Sequence, residues 1–185
     1  MKREHTGAKL SAVLVSGLVL LSAPGLAGAH GAPKAEKIPD GFTKASITGY
    51  PDIEGLSAMV LDAPRPGIML RYRGSERLTI LGTEGERFLR FTRDTVEVNI
   101  DSASWKNLPN APKLAENAVM AADRSGSASW ATLSTSGSFG WLDPRLKGQH
   151  DGHAREEPGK WSIAVETEGN RIEQIRGQLT FKPIQ

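Results

Sequence analysis

The chain is 185 residues long and has no cysteine, which excludes disulfide bonds and thiolate metal sites. It has 23 Lys and Arg residues against 21 acidic residues; three of the basic residues and one acidic residue precede residue 10, which leaves 20 of each sign in the remainder. A neutral remainder lacks the positive field of a nucleic-acid-binding domain and the polybasic patch that holds a protein on anionic lipid.

The first 29 residues have the pattern of a secretory signal peptide. Basic residues come first, followed by an apolar stretch from Leu10 to Leu21, then by Pro24-Gly25 and the small residues Ala27-Gly28-Ala29. The apolar stretch is 12 residues long, shorter than the roughly 20 residues that span a bilayer. We expect cleavage after Ala29, with cleavage after Ala27 as the alternative. The general secretory route then predicts a periplasmic or extracellular protein without a membrane anchor.

Residues 30–41 are rich in Ala, Gly, Pro and Lys and have no apolar periodicity, which predicts a flexible arm. Residues 42–185 are predicted to form a single domain. The four tryptophans, Trp105, Trp130, Trp141 and Trp161, all follow residue 100, so we expect the packing to centre in the second half of the chain.

Short apolar runs separated by turn residues predict strands along this domain. Residues 95–100 alternate most clearly, with Val96, Val98 and Ile100 on one face and Glu97 and Asn99 on the other. Gly82 to Gly85 separate two runs and predict a hairpin loop. The full set of predicted strands is 57–61, 67–73, 77–81, 87–92, 95–100, 129–133, 138–142, 161–166 and 171–184.

This spacing predicts an all-β fold, an antiparallel β-sandwich (immunoglobulin-like) of about eight to ten strands, with a small β-barrel as the alternative. The sandwich is favoured because its open ends accommodate the long loops at 101–128 and 143–160. The first of these loops contains a weakly helical patch from Leu114 to Ala122. Gly177 is expected to interrupt or bulge the last strand.

Catalytic motifs are not found in the sequence. It has no Gly-x-Ser-x-Gly elbow, no Ser-x-x-Lys pair, no phosphate-binding glycine motif and no His-Glu-x-x-His helix. We therefore expect the chain not to be an enzyme.

Three histidines remain after signal removal: His30, His150 and His153. Cleavage after Ala29 would give His30 a free α-amino nitrogen beside its imidazole, and copper(II) binds such nitrogen donors more tightly than other divalent first-row metals do. His150 or His153, in a polar loop, would complete the site. The alternative is that all three histidines are surface residues, since the spacing of His150 and His153 matches no established metal motif.

Two further clusters of charge are apparent. Asp143 and Arg145 are predicted to form a structural ion pair that closes a strand end. Four arginines, Arg71, Arg73, Arg87 and Arg90, are predicted to lie on neighbouring strands of a solvated sheet face, balanced by Glu84, Glu86 and Glu97.

Several of these segments resemble a family of uncharacterised exported bacterial proteins. The resemblance rests on Glu86-Arg-Phe-Leu-Arg90, Val96-Glu-Val-Asn99, Ser102, Trp130, Trp141-Leu-Asp-Pro-Arg145, Trp161 and residues 177–183, and it covers roughly Leu78 to Pro183. Members share Tyr/Phe-Leu-Arg, Val-x-x-Asn and Trp-x-Asp-x-Arg elements. Relatives are richer in histidine where this chain has Leu142, Pro144 and Leu146, so no metal role carries over.

The predicted plan is also loosely similar to periplasmic copper-carrier β-sandwiches, although the Met-rich or His-rich runs of those carriers are missing. The sequence favours a secreted or periplasmic non-enzymatic binding or scaffold protein of the cell envelope, with an envelope or secreted protein as its partner. A copper-binding or copper-delivery protein that uses His30 is the alternative. An enzyme acting on envelope polymers is third.

Overall fold

The computed structural model describes residues 41–62, 65–147 and 159–184. The predicted signal peptide and the predicted arm up to residue 40 lie outside the described residues, which belong to one compact unit, Pro39–Gln185. Within the described part the chain forms ten strands: β1 (Gly41–Gly49), β2 (Leu56–Leu61), β3 (Gly67–Tyr72), β4 (Leu78–Leu81), β5 (Arg87–Phe91), β6 (Val96–Asn99), β7 (Trp130–Ser134), β8 (Ser138–Leu142), β9 (Gly159–Thr167) and β10 (Ile172–Pro183). Two short helices, α1 (Ala103–Lys106) and α2 (Glu116–Met120), and a 3-10 turn at Pro144–Leu146 complete the described elements.

The strands form two antiparallel sheets. The larger has seven strands in the order β1-β10-β9-β4-β5-β6-β7, and the smaller has three in the order β2-β3-β8. In the described residues the larger sheet ends at β1 and β7 and does not close on itself, so the predicted all-β sandwich is confirmed over the barrel alternative. The division into seven and three strands is more uneven than that of immunoglobulin domains.

Alternating side chains build the core between the sheets. Val96 and Val98 of β6 are fully buried opposite Phe91 and Leu89 of β5, whereas Glu97 between them faces outward. Burying alternate residues is what a strand with one solvated face requires. The smaller sheet contributes further fully buried side chains, including Ile68 and Leu70 of β3.

The centre of packing is not where the tryptophans predicted it. Most of the fully buried large side chains precede residue 100, whereas Leu146, Ile163, Val165 and Ile175 follow it. Trp105 is only partly buried and Trp130 lies outside the central cluster, so that expectation was wrong. Aliphatic residues and phenylalanines of β3 to β6 form most of the core, because those strands lie in the middle of both sheets.

Strand β10 continues without a break through Gly177. Its register with β9 is regular, and the bulge occurs instead on β1 between Ile47 and Gly49, opposite Gly177 and Arg176. The expectation that Gly177 interrupts or bulges β10 was therefore wrong, since the extra residue lies on β1. Gly177 lies opposite Trp161, and a Cβ on it would come within 2.2 Å of the Trp161 ring, so glycine makes room for that ring.

The long connection after β6 contains both helices. Ser102 caps α1, since its hydroxyl accepts a hydrogen bond from the Trp105 backbone at 3.0 Å. Helix α2 falls within the predicted helical patch and lies against β7. Asp123 then pairs with Trp130 through two 2.9 Å backbone hydrogen bonds, which protects the outer edge of β7 at its first residue. Neither helix is long and apolar enough to cross a membrane.

Candidate ligand-binding cleft

A shallow cleft of about 230 Å³ lies on the outer face of the seven-stranded sheet. It is lined by three arginines, Arg77, Arg87 and Arg90, and by Glu166, Glu168 and Trp130, with smaller polar residues between them. Thr79 of β4 is in register with Arg90 on one side and with Glu166 on the other. Leu78 and Ile80, on either side of Thr79, point into the core. Thr79, Arg90 and Glu166 therefore lie together on the solvent-facing side of the sheet.

Two of the arginines form ion pairs across the cleft. Arg87 contacts Glu166 through Nε and Nη2 at 3.0 and 3.1 Å, a two-pronged pairing that raises the pKa of the guanidinium. Arg77 contacts Glu168 through Nη2 at 3.1 Å and through its backbone nitrogen at 3.3 Å. These backbone and side-chain hydrogen bonds lower the pKa of Glu168. The β9–β10 turn, with Asn170 in the left-handed region at φ 57°, places Glu168 beside Arg77.

Arg90 forms the wall of the cleft with Trp130. Its guanidinium lies 4.5 Å above the centre of the Trp130 ring, and its Nε donates to Glu97 at 2.6 Å. Asp123 lies 3.9 Å from Nη2 on the other side. Stacking and pairing hold Arg90 in one orientation, and its side chain is only 16% exposed. The cleft is therefore a polar surface whose charges are matched within the protein, and Arg90 is its most tightly held cation.

The predicted four-arginine face is only partly present. Arg87 and Arg90 lie on β5, and Glu97 pairs with Arg90 as a balancing acid. Arg71 and Arg73 belong to β3 and its end, and β3 pairs with β2 and β8 in the other sheet, so the prediction of one face was wrong. The error arose because strands that follow one another in sequence were taken as neighbours, whereas the chain crosses to the other sheet after β3.

Glu86 does not balance that face either. Its carboxylate lies in the β4–β5 turn and accepts hydrogen bonds from the Ser104 and Glu84 backbones at 2.9 and 3.1 Å. Burial raises its pKa, but the hydrogen bonds from Ser104 and from the turn outweigh that effect and leave the pKa below its ordinary value. Glu86 thus fastens helix α1 to the hairpin.

Asp143 and Arg145 are brought together. Arg145 contacts both carboxylate oxygens of Asp143 at 2.8 and 2.7 Å, and Trp141 Nε1 donates to Oδ2 at 2.9 Å. Arg145 also reaches the carbonyl of Leu81 at 3.2 Å. The pair joins the end of β8 to β4 from the interior and is not part of the cleft.

The proposed copper ligands His30, His150 and His153 lie outside the described residues, so that site stays a prediction. Within the described ranges, no group of three or more His, Cys, Asp or Glu side chains is arranged to hold a metal ion.

Sequence reasoning missed Arg77, Trp130, Glu166 and Glu168 as cleft residues. Alternation of polar and apolar residues marks Glu166 as facing outward, but Trp130 is an apolar, largely buried residue at the start of β7, and nothing in the sequence indicates that β4 pairs with β9. No protein-family model, curated protein or solved structure matches this chain. The resemblance to exported bacterial proteins accordingly stays a prediction.

Proposed function

We propose that this chain is an exported, non-enzymatic binding protein of the cell envelope that contacts an envelope component through the cleft. The observation that carries the proposal is the cleft itself, in which each arginine is already paired with a carboxylate, Glu168, Glu166 or Glu97. Preorganised polar groups lower the ordering cost of binding. The secretory signal predicted for residues 1–29 supports an envelope location.

The carboxylates of the cleft favour binding over catalysis. A general acid that cleaves an envelope polymer needs a raised pKa, whereas hydrogen bonds from Arg77 lower the pKa of Glu168. Both carboxylate oxygens of Glu166 already accept hydrogen bonds, from Nε and Nη2 of Arg87. Glu168 therefore does not have the environment of a general acid.

The proposal is tested by sedimenting the purified exported protein with envelope fragments of the host cell. We expect the natural protein to sediment with the fragments and the double variant Arg87→Ala/Glu166→Ala to be retained at least tenfold less. Arg87 is half exposed and Glu166 largely covered, so removing both partners together avoids leaving an unpaired charge, and the variant should remain folded, which circular dichroism checks.

The matched control is Lys44→Ala/Asp62→Ala, which removes another exposed ion pair, 3.6 Å long, between residues that do not line the cleft. It should sediment like the natural protein. Equal retention of all three proteins, or no retention of the natural protein, would contradict the proposal.

A further inference from the structure

The cleft has room for one ring-sized unit of a larger ligand. Its volume of about 230 Å³ lies below the roughly 300–1,000 Å³ of pockets for whole drug-sized molecules. Since it lies open on a sheet face, a polymer can enter and leave across its rim. The cleft therefore accommodates one repeating unit of a chain at a time.

The charges of the cleft are balanced. Arg77, Arg87 and Arg90 are paired with Glu168, Glu166 and Glu97 at 3.1, 3.0 and 2.6 Å. An anionic ligand would have to compete with these carboxylates for each guanidinium, and Asp123 adds a further negative charge beside Arg90. The balance favours a ligand without net charge.

The groups left over are hydrogen-bonding groups. Within the described part of the chain, Nη1 of Arg77 and of Arg87 has no partner, and neither does the hydroxyl of Thr79 or the side-chain amide of Asn170. The free Nη1 groups only donate, whereas each hydroxyl of a sugar both donates and accepts, so sugar hydroxyls can accept from the arginines and pair with Thr79 and Asn170. A cleft with this mixture suits a polyhydroxylated ligand.

A peptide fits the cleft less well than a sugar does. The strands that form its floor, β4, β5 and β9, are each paired on both sides, so an extended peptide finds no free backbone edge to pair with. Trp130, the one aromatic residue of the lining, is 8% exposed and has the Arg90 guanidinium 4.5 Å above its ring, so the cleft offers little apolar surface for the side chains of a peptide. Sugar rings present mainly hydroxyl groups and need less apolar surface.

We infer that the cleft binds single hexopyranose units of a neutral polysaccharide. This inference rests on the proposed function and specifies its ligand. Uncharged hydroxyls of the sugar would take the free donors of Arg77 and Arg87, with Thr79 and Asn170 completing the contacts.

Titration calorimetry of the full exported chain with tetramers of glucose and of N-acetylglucosamine tests this. We expect at least one tetramer to bind with an affinity that changes less than twofold between about 50 and 500 mM salt, since no ion pair is formed with the ligand. Arg87→Ala/Glu166→Ala should weaken binding at least tenfold, and Lys44→Ala/Asp62→Ala should not.

Two single-residue variants change the cleft with less risk of unfolding the protein. Thr79→Val removes a hydroxyl and keeps a β-branched side chain, and Asn170→Gly removes the amide in a turn whose φ of 57° suits glycine. Each should weaken tetramer binding about three- to tenfold without changing the melting temperature. Undiminished binding by both variants would overturn the inference.

The outcomes separate the ligand class from the function. If the protein sediments with envelope fragments through the cleft but binds neither tetramer, only this inference fails. Displacement of the protein from the fragments by polygalacturonate would then show an acidic ligand, and displacement by a polyalanine peptide would show a peptide. If it neither sediments nor binds a tetramer, the proposed function fails too.

Discussion

Asp143 is a charged side chain in the interior, with 1% of its surface exposed. Its two oxygens accept four hydrogen bonds, three from Arg145 and one from the Trp141 indole. A buried carboxylate is tolerated only when it is paired and hydrogen-bonded in this way. Asp143 and Arg145 are two residues apart in the chain, so their ion pair forms locally. The hydrogen bond from Arg145 to the Leu81 carbonyl then connects the pair to β4.

Replacing Asp143 with alanine should lower the free energy of unfolding by about 3–5 kcal/mol, because Arg145 would be left partly buried without its partner. Urea denaturation measures this. Asp62→Ala is the control, since its pair with Lys44 is exposed and should contribute about 0–1 kcal/mol. Equal losses of unfolding free energy in the two variants would show that the buried environment of Asp143 does not make its ion pair more stabilising than an exposed one.

At the scale of the element, the edge formed by β9, β10 and β1 depends on one glycine. Gly177 lies between Trp161 of β9 and Ser46 of β1, and both lie within 2.2 Å of where its Cβ would be. Strand β10 keeps a regular register with β9 because the Trp161 side chain lies opposite a glycine. On its other side β10 pairs with β1, where the bulge between Ile47 and Gly49 accommodates one extra residue of β1.

The variant Gly177→Ala should lose about 1–3 kcal/mol of stability, as is typical of overpacking, because the Trp161 ring or β1 must move. Thermal unfolding followed by tryptophan fluorescence measures the loss of stability and reports displacement of the Trp161 ring. Gly126→Ala is the matched control, since nothing lies within 4 Å of its added carbon. A melting temperature equal to that of the control would show that the edge adapts freely.

At the scale of the whole molecule, Arg73 ties the two sheets together. From the end of β3 its Nη1 donates to the carbonyls of Arg93, in the β5–β6 turn, and of Ser136, in the β7–β8 turn. Gly137 leaves space for this group, since a Cβ there would come within 2.4 Å of it. One guanidinium thus fastens the end of β3 to the β5–β6 turn of the larger sheet and to the β7–β8 turn, which connects the two sheets.

Arg73→Gln should destabilise the protein by about 1.5–3 kcal/mol, the range for hydrogen bonds to charged groups. Arg71→Gln, two residues earlier on the same strand and exposed, should change stability by less than about 0.5 kcal/mol. Urea denaturation of both variants gives the comparison. Matching midpoints for the two would contradict the role of Arg73.

Local patterns predicted nine of the ten described strands to within a few residues. The missed strand, β1, has mixed burial along residues 41–49 and follows an arm rich in small residues, so its alternation is weak. Helix α1, only four residues long, carries too little periodicity to be predicted. The Asp143–Arg145 pair was accessible to sequence reasoning because it needs no knowledge of which strands are neighbours.

Features that depend on near neighbours in the chain could be predicted from the amino-acid sequence: the alternation of buried and exposed residues, the hairpin of β4 and β5, the all-β class and the paired Asp143 and Arg145. Which strands lie side by side is known only from the folded chain. Thr79 and Glu166 are in register although 87 positions separate them in the sequence, and Arg71 faces away from the cleft that Arg87 lines. Apolar strands of similar composition can pair in many orders, and the packing of the complete core selects among them, so the cleft emerges only from the folded sheet.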